Sequence, residues 1–510
     1  MPRYAAIDIG SNSVRMLAAE VVPGSPAREL ATDREVTRLG ASVFRQGRIS
    51  EEAIAFVCQV LKRMVDAYSK LDVVGVRAVA TSAVRDASNQ AEFVERATAI
   101  IGAPVEIISG AEEARLIHLG VQARWPQPEE TILIVDVGGG SAEFIVAENA
   151  EMKEGISRPL GAVRLNEVFL KTDPPSDVEL TRLRKFIDDK FEPARERIAA
   201  YKFDRVIGTS ATAAALVSAA HSIPRARREE ADRVRANIGD LRKLYAQLAG
   251  STLNERKKIG GLGPRRAEII VAGASVFLRT LETLDQPAMY YCAAGVRDGI
   301  IADLAARGVG RERSRLTPSQ LRVIEAMCRK YDVDLNNAKH ASNIAAHLFD
   351  AMQPLHTLPP DIGRLLESAA YLHNVGHFIS DTGHHKHSAY VVSSSDMPGY
   401  TDRERHIVAL LCRYHRKSMP TPRHDLCRSL SADEKRIIQM MTPLLRLAIA
   451  LDAGRAQKVQ TVDMQVANVG VNVTVRGEGD YDLEIWAAER AADAFRQVYG
   501  IPMNIAKARK

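Results

Sequence analysis

Between Met1 and Leu304 short apolar runs alternate with amphipathic stretches. Residues 5–9, 14–21 and 132–135 read as strands, whereas 54–68 and the charged stretch 177–201 carry helical periodicity. Four further segments read as strand, small polar turn, helix: VVGVRAVATSAVRDASN, PVEIISGAEEARLIHLGVQARW, FDRVIGTSATAAALVSAA and MYYCAAGVRDGIIADLAARG. Such alternation predicts an α/β fold. The run RGVGRERSRLTP at 307–318 reads as a linker. Helical periodicity dominates beyond it, and from about Arg455 the pattern changes to apolar–polar alternation, VDMQVANVGVNVTV, with GEGD as a hairpin turn. Residues 1–128 and 129–306 are therefore predicted as two α/β lobes, 315–454 as a helical domain and 455–510 as a small α/β appendage.

One stretch organises the first part: ILIVDVGGGSAEFIV at 132–146, a buried strand, Asp136, three glycines and a second apolar strand. Gly138, Gly139 and Gly140 let the backbone enter conformations barred to other residues and expose its N–H groups. Such a turn suits phosphate oxygens, and Asp136 beside it suits a hydrated divalent cation, with Glu143 in reach of the same turn. The chain says this twice. AAIDIGSNSVRMLAAEV near the N-terminus aligns Asp8 with Asp136, Gly10 with Gly138, Ser13 with Ser141 and Arg15 with Glu143. An internal repeat implies two domains of like fold. Facing each other, they would hold a phosphate chain and its metal between two lobes.

Thr81 and Ser82 end a strand ahead of a helix, an arrangement that often faces phosphate in α/β folds, and Arg85 follows as a phosphate clamp or a surface residue. Glu112 and Glu113 enter a first helical turn, where acids ordinarily complement the helix dipole. The functional alternative is one carboxylate that orients or deprotonates water. Adjacent helix residues point about 100° apart, so at most one faces a cleft.

Those segments resemble the phosphate-binding motifs of the acetate-kinase, sugar-kinase, heat-shock-protein and actin superfamily. With ATSAVRDASN at 80–89, IISGAEEARLIHLGV at 107–121 and IGTSATAAAL at 207–216, they are most similar to the exopolyphosphatase and guanosine pentaphosphate phosphohydrolase family. The resemblance implies two actin-like (ribonuclease-H-like) lobes and metal-dependent, processive hydrolysis of terminal phosphate from inorganic polyphosphate. Guanosine pentaphosphate is the second substrate implied, with guanosine tetraphosphate a related ligand. It also implies Mg²⁺ or another divalent cation on Asp8, Asp136 and Glu143, and Glu113 as the residue acting on water. Phosphate binding falls to Gly10, Ser11, Asn12, Ser13, Arg15, Arg85, Gly138, Gly139, Gly140 and Ser141. A homodimer is implied too.

Composition narrows the class without naming chemistry. The 510 residues, 46% hydrophobic and 26% charged, contain no apolar run that approaches a membrane span. Strand pattern from the N-terminus predicts no signal peptide, and five scattered cysteines predict a reduced, cytoplasmic protein. A net charge of +6 does not argue for nucleic acid. The basic run at 224–243 reads as a solvated helix face laced with opposite charges, or as a stripe for a polyanion.

All but two of the 13 histidines (His118 and His221) fall between His340 and His424. His340, the doublet His373-Asn374 and Asp452 are spaced as in the HD phosphohydrolase superfamily, which binds divalent metal through a histidine, a His-Asp doublet and a later aspartate. An amide is a poorer ligand than a carboxylate, so this HD-like domain is expected to have lost hydrolysis. HHKHS at 384–388 and RYHRK at 413–417 extend a phosphate track or bond internally. Two rival functions are a kinase using ATP and a non-catalytic polyphosphate or alarmone sensor. The first lacks a visible acceptor site, and the second would not need Glu113, Asp136 and Glu143.

Overall fold

The computed structural model describes residues 1–22, 25–308, 313–421, 424–428, 430–467 and 469–508. They form two compact units, Met1–Ala306 and Arg307–Lys510. Part of the predicted linker lies outside the described residues.

Two sheets build the first unit. The first contains β1 (Arg3–Ile9), β2 (Val14–Glu20), β3 (Arg28–Glu35), β4 (Gly75–Ala80) and β5 (Val105–Ile107), in the order β3-β2-β1-β4-β5. The second contains β6 (Thr131–Val137), β7 (Ala142–Glu148), β8 (Glu151–Arg158), β9 (Arg205–Thr209), β10 (Arg235–Asn237) and β11 (Ala288–Tyr291). Its order, β10-β11-β9-β6-β7-β8, repeats the first sheet with β10 added antiparallel at one edge. In each sheet three antiparallel strands are followed by parallel ones, the actin-like lobe topology. Alternation along β6 explains its unbroken apolar run. Leu133, Val135 and Val137 enter one core, and Ile132 and Ile134 enter another on the opposite face.

The lobes exchange their last helices. Ala114, Ile117 and Val121 of the helix Gly110–Arg124 pack with Ile132, Ile134 and Ile145 of the second sheet. Ile300 and Ile301 of the helix Val296–Ala306 pack with Tyr4, Ala6 and Leu17 of the first. The two helices touch backbone to backbone. A Cβ on Gly120 would lie 2.4 Å from the Gly295 carbonyl oxygen, and one on Gly299 would lie 1.8 Å from that of Leu116.

Two local expectations are corrected. Residues 224–243 are no continuous helix: a 3₁₀ segment (Arg225–Ala231) and β10 precede the helix Ile238–Gly250. Pairing of Ala236 with Met289 recruits the middle of the run to a sheet edge, a tertiary contact that local charge patterning does not encode. Likewise GEGD does not close the hairpin. Strands β12 (Val459–Ala467) and β13 (Gly470–Gly477) turn between Ala467 and Gly470, and GEGD leads from the open end into the helix Asp482–Tyr499. Strand β14 (Met503–Lys507) then pairs parallel with β13. Val471, Phe495 and Met503 share one core with Leu445 and Leu447 of the helix Ala432–Ala450.

Among the described residues no helix is long and apolar enough to cross a membrane.

Candidate functional site

Both repeats end their first strand in the same closed turn. The Gly10 N–H donates to the Ser13 carbonyl at 3.1 Å, and the Gly138 N–H to that of Ser141 at 3.0 Å. Hairpin register sets Asp8 opposite Arg15 and Asp136 opposite Glu143. The two turns approach each other closely. A Cβ on Gly139 would lie 3.0 Å from the Asn12 nitrogen, and one on Gly140 would lie 1.9 Å from Ser82 Oγ. None of the three glycines has a positive φ. They serve close approach here, which corrects the expectation that the turn needs backbone conformations closed to other residues. Ser11 Oγ accepts from the Ala83 N–H at 3.2 Å and lies 3.3 Å from Ser82 Oγ, joining this turn to the end of β4. Amides of Ala162 and Val163 take up the Gly138 and Gly139 carbonyls, so the second turn is braced from behind.

Asp8, Asp136 and Glu113 line the resulting cleft with Gly10, Ser11, Asn12, Ser13, Arg15, Gly138, Gly139, Gly140 and Ser141. Glu143 is fully buried and is not part of the cleft wall. Its Oε1 accepts from Ser157 Oγ at 2.8 Å, whereas its Oε2 and that of Glu113 are buried without a hydrogen-bond partner. Burial, then the charge of Glu143, pushes the Glu113 carboxyl well above the carboxylate range. Burial and Asp136 push Glu143 up to about 8. Burial raises Asp136 to about 6 against the opposing effect of Arg15, and raises Asp8 as well. Acids crowded out of water without partners are the arrangement a cation relieves. Among the described residues no three His, Cys, Asp or Glu side chains converge as a direct ligand set. The donor set therefore suits a hydrated ion, held in part through water.

Glu112 and Glu113, neighbours in sequence, part company. The Glu112 carboxylate accepts from Arg77 Nη2 at 2.9 Å and Arg115 Nε at 2.7 Å, inside a buried ionic network. Arg85 does not line the cleft. Its Nη1 donates to the Ile108 carbonyl at 2.5 Å and stands 3.9 Å from Glu113 Oε2, which makes it a neighbour of Glu113 rather than a direct clamp on the cleft.

Sequence reasoning missed most of the positive wall. Arg34, Arg228, Arg266 and Arg297 join Arg15 around the cleft. Among the described residues none of the five forms an ion pair with a carboxylate; Arg228, Arg266 and Arg297 donate to the Ala211 carbonyl, Thr212 Oγ1 and the Met16 carbonyl. Burial first, then the charges of Arg34, Arg15 and Arg228, lowers Arg266 to about 9. Enclosure and the same crowding lower Arg34 to about 9, although its side chain still reaches water at the mouth. Both remain cationic at neutral pH. A contiguous pocket adds Arg225 and Arg265 beside Gly261 and Gly263. The basic run at 224–243 held the signal for two of these arginines; Arg34 and Arg297 stand in unremarkable contexts.

In the second unit, His373, Asn374 and Asp452 line a separate pocket with His377, His384, His415, Arg416 and Arg455; His340 does not line it. Several imidazoles bond internally. His373 Nδ1 lies 2.7 Å from the Ala370 carbonyl, His415 Nδ1 2.7 Å from that of Cys412, and the Nε2 atoms of His384 and His415 are 3.3 Å apart. Burial lowers His373 to about 4 and His415 well below 6.5. These groups stay neutral in the folded unit while the unfolded chain takes up protons below pH 6.5, so stability falls as pH drops from there towards 4. One such imidazole costs about 1.4 kcal/mol at pH 5.5. The urea midpoint of the second unit should fall between about pH 7.5 and 5.5; an unchanged midpoint would refute the neutral cluster.

Comparison with known proteins agrees with this geometry. Residues 17–307 match the Ppx/GppA phosphatase family and residues 320–485 match Ppx/GppA phosphatase, domain III. The structure of the Aquifex aeolicus PPX-GPPA enzyme is 31% identical, with 59% of this chain and 99% of that one covered and a TM-score of 0.52. An exopolyphosphatase from Cytophaga hutchinsonii is 28% identical over 59% of this chain and 97% of its own, with a TM-score of 0.55. An exopolyphosphatase-like protein gives 26% identity, the same two coverages and a TM-score of 0.56.

Proposed function

The chain belongs to the Ppx/GppA phosphatase family, and on that premise we propose that it removes the terminal phosphate of inorganic polyphosphate with the help of a divalent cation. The observation that carries this reading is the set of cleft arginines without carboxylate partners, continued into the adjoining pocket by Arg225, with Arg265 there paired to Glu35. A row of phosphates supplies the charges such a surface lacks, and each guanidinium can bind phosphate oxygens through two N–H groups.

Asp8, Asp136 and, from beneath, Glu143 would hold the cation, partly through water; bound there, it would offset the charge of the phosphate oxygens. The N–H groups of turns 10–13 and 138–141 would grip the terminal phosphoryl group. Glu113 would orient the attacking water and take its proton as the new O–P bond forms and the anhydride P–O bond breaks. The shortened chain leaves as an anion and needs no proton donor, so positioning and charge neutralisation supply most of the rate. No protein nucleophile is required.

Phosphate release from long polyphosphate and from guanosine pentaphosphate, measured side by side with and without Mg²⁺, tests the reading. We expect Mg²⁺-dependent release from polyphosphate, and for Arg266→Ala a KM at least about tenfold higher on long chains, as loss of a charge-assisted contact implies. Release from the nucleotide alone would keep the chemistry and move the substrate to the alarmone. Release from neither would sink the proposal.

A further inference from the structure

Five charged side chains lie packed beneath the first turn of the Glu113 helix. Arg77 on β4 donates to Asp303 Oδ2 at 2.8 Å, to Glu106 Oε2 at 2.8 Å and to Glu112 Oε1 at 2.9 Å. Arg115 donates to Glu112 Oε2 at 2.7 Å and to Asp303 Oδ1 at 2.8 Å. The Arg77, Arg115, Glu112 and Asp303 side chains are each only 3–4% exposed. Replacing such a network by apolar residues is often neutral or stabilising, so stability alone gives little reason for it. What it does supply is geometry.

The partners come from separate parts of the first unit. Arg77 belongs to the first sheet, Glu112 and Arg115 to the helix packed on the second sheet, and Asp303 to the helix that follows the second lobe and packs on the first. Glu113 is the next residue after Glu112, and its own Oε2 has no hydrogen bond, with Arg85 Nη1 3.9 Å away. Its direction into the cleft is therefore set by the backbone of that first turn, and the network pins this turn. We propose that Asp303, Arg77, Arg115 and Glu112 are positioning residues that aim the Glu113 carboxylate at the attacking water, with Asp303 tying that aim to the second lobe's returning helix. This inference rests on the reading of Glu113 given above.

Asp303→Asn removes the charge while keeping the shape. In the full chain, on long polyphosphate, kcat should fall roughly 10- to 100-fold, the loss expected of a misplaced reacting group, with KM changed less than about twofold. The decisive measurement repeats the substitution in a Glu113→Gln background, where it should change the residual rate by less than about twofold, because residues that act through one group are not additive. Equal losses in both backgrounds, or no loss in the first, would overturn the proposal. Arg115→Lys, which keeps the charge but not the two-pronged contact, serves if Asp303→Asn does not fold. Should Glu113→Gln itself keep full activity, the assignment of Glu113 falls and takes this inference with it. A loss in Glu113→Gln alone would overturn only the positioning role.

Discussion

Glu113→Gln should lower kcat by about 10³-fold, within the range that a positioned acid or base contributes, and should leave the fold at least as stable as before. The two halves of this expectation have one cause. Glu113 is buried among Glu143, Asp8 and Asp136, and its Oε2 has no hydrogen-bond partner. Replacing it with the neutral amide removes the cost of holding a carboxyl among these acids, together with the group placed to act on water. Activity lost with a thermal midpoint unchanged or raised is the pattern of a residue kept for chemistry at the expense of stability. Rates measured with saturating Mg²⁺ and polyphosphate, beside a thermal scan, check both halves. A variant that keeps its rate, or that unfolds, would contradict this assignment.

Arg77→Met should destabilise the first unit by about 3–5 kcal/mol, the cost of removing one partner from a buried ionic cluster. Arg77 is 3% exposed and serves Glu106, Glu112 and Asp303 together, so the shorter apolar side chain withdraws one guanidinium from three acids, of which Arg115 contacts only Glu112 and Asp303. Urea denaturation of the full chain is the measurement. A shift below about 1 kcal/mol would mean that water or rearrangement solvates those acids, and that the network is looser than its distances suggest. Glu112 and Glu113 thus give a controlled comparison, since the same residue type one position apart joins a buried ionic network in one case and lines the cleft in the other.

Much of the architecture was legible because it rests on local pattern. Strand, aspartate, glycine turn and strand appear twice, and the structure returns the duplication as two sheets of one strand order with the same turn hydrogen bond in each. Helix starts such as Ser109, which accepts from the Glu112 N–H, are written in capping residues. Less legible were places where distant segments decide. Residues 224–243 alternate charges as a surface helix would, yet pairing of β10 with β11 makes the middle of the run a sheet edge, and Arg228 on the preceding 3₁₀ segment lines the cleft. GEGD has hairpin composition, but the register of β12 on β13 puts the turn elsewhere.

By itself the sequence determined the duplicated lobes, the two matching turns and the carboxylates at their strand ends, since strand period, turn chemistry and helix caps act over a few residues. It also identified the helical second part. Only the tertiary structure decided which carboxylates have partners. Burial and electrostatics depend on what folds back from far along the chain: Asp303 arrives at Arg115 from 188 positions away, and Arg34, Arg228, Arg266 and Arg297 meet around one cleft from four separate segments.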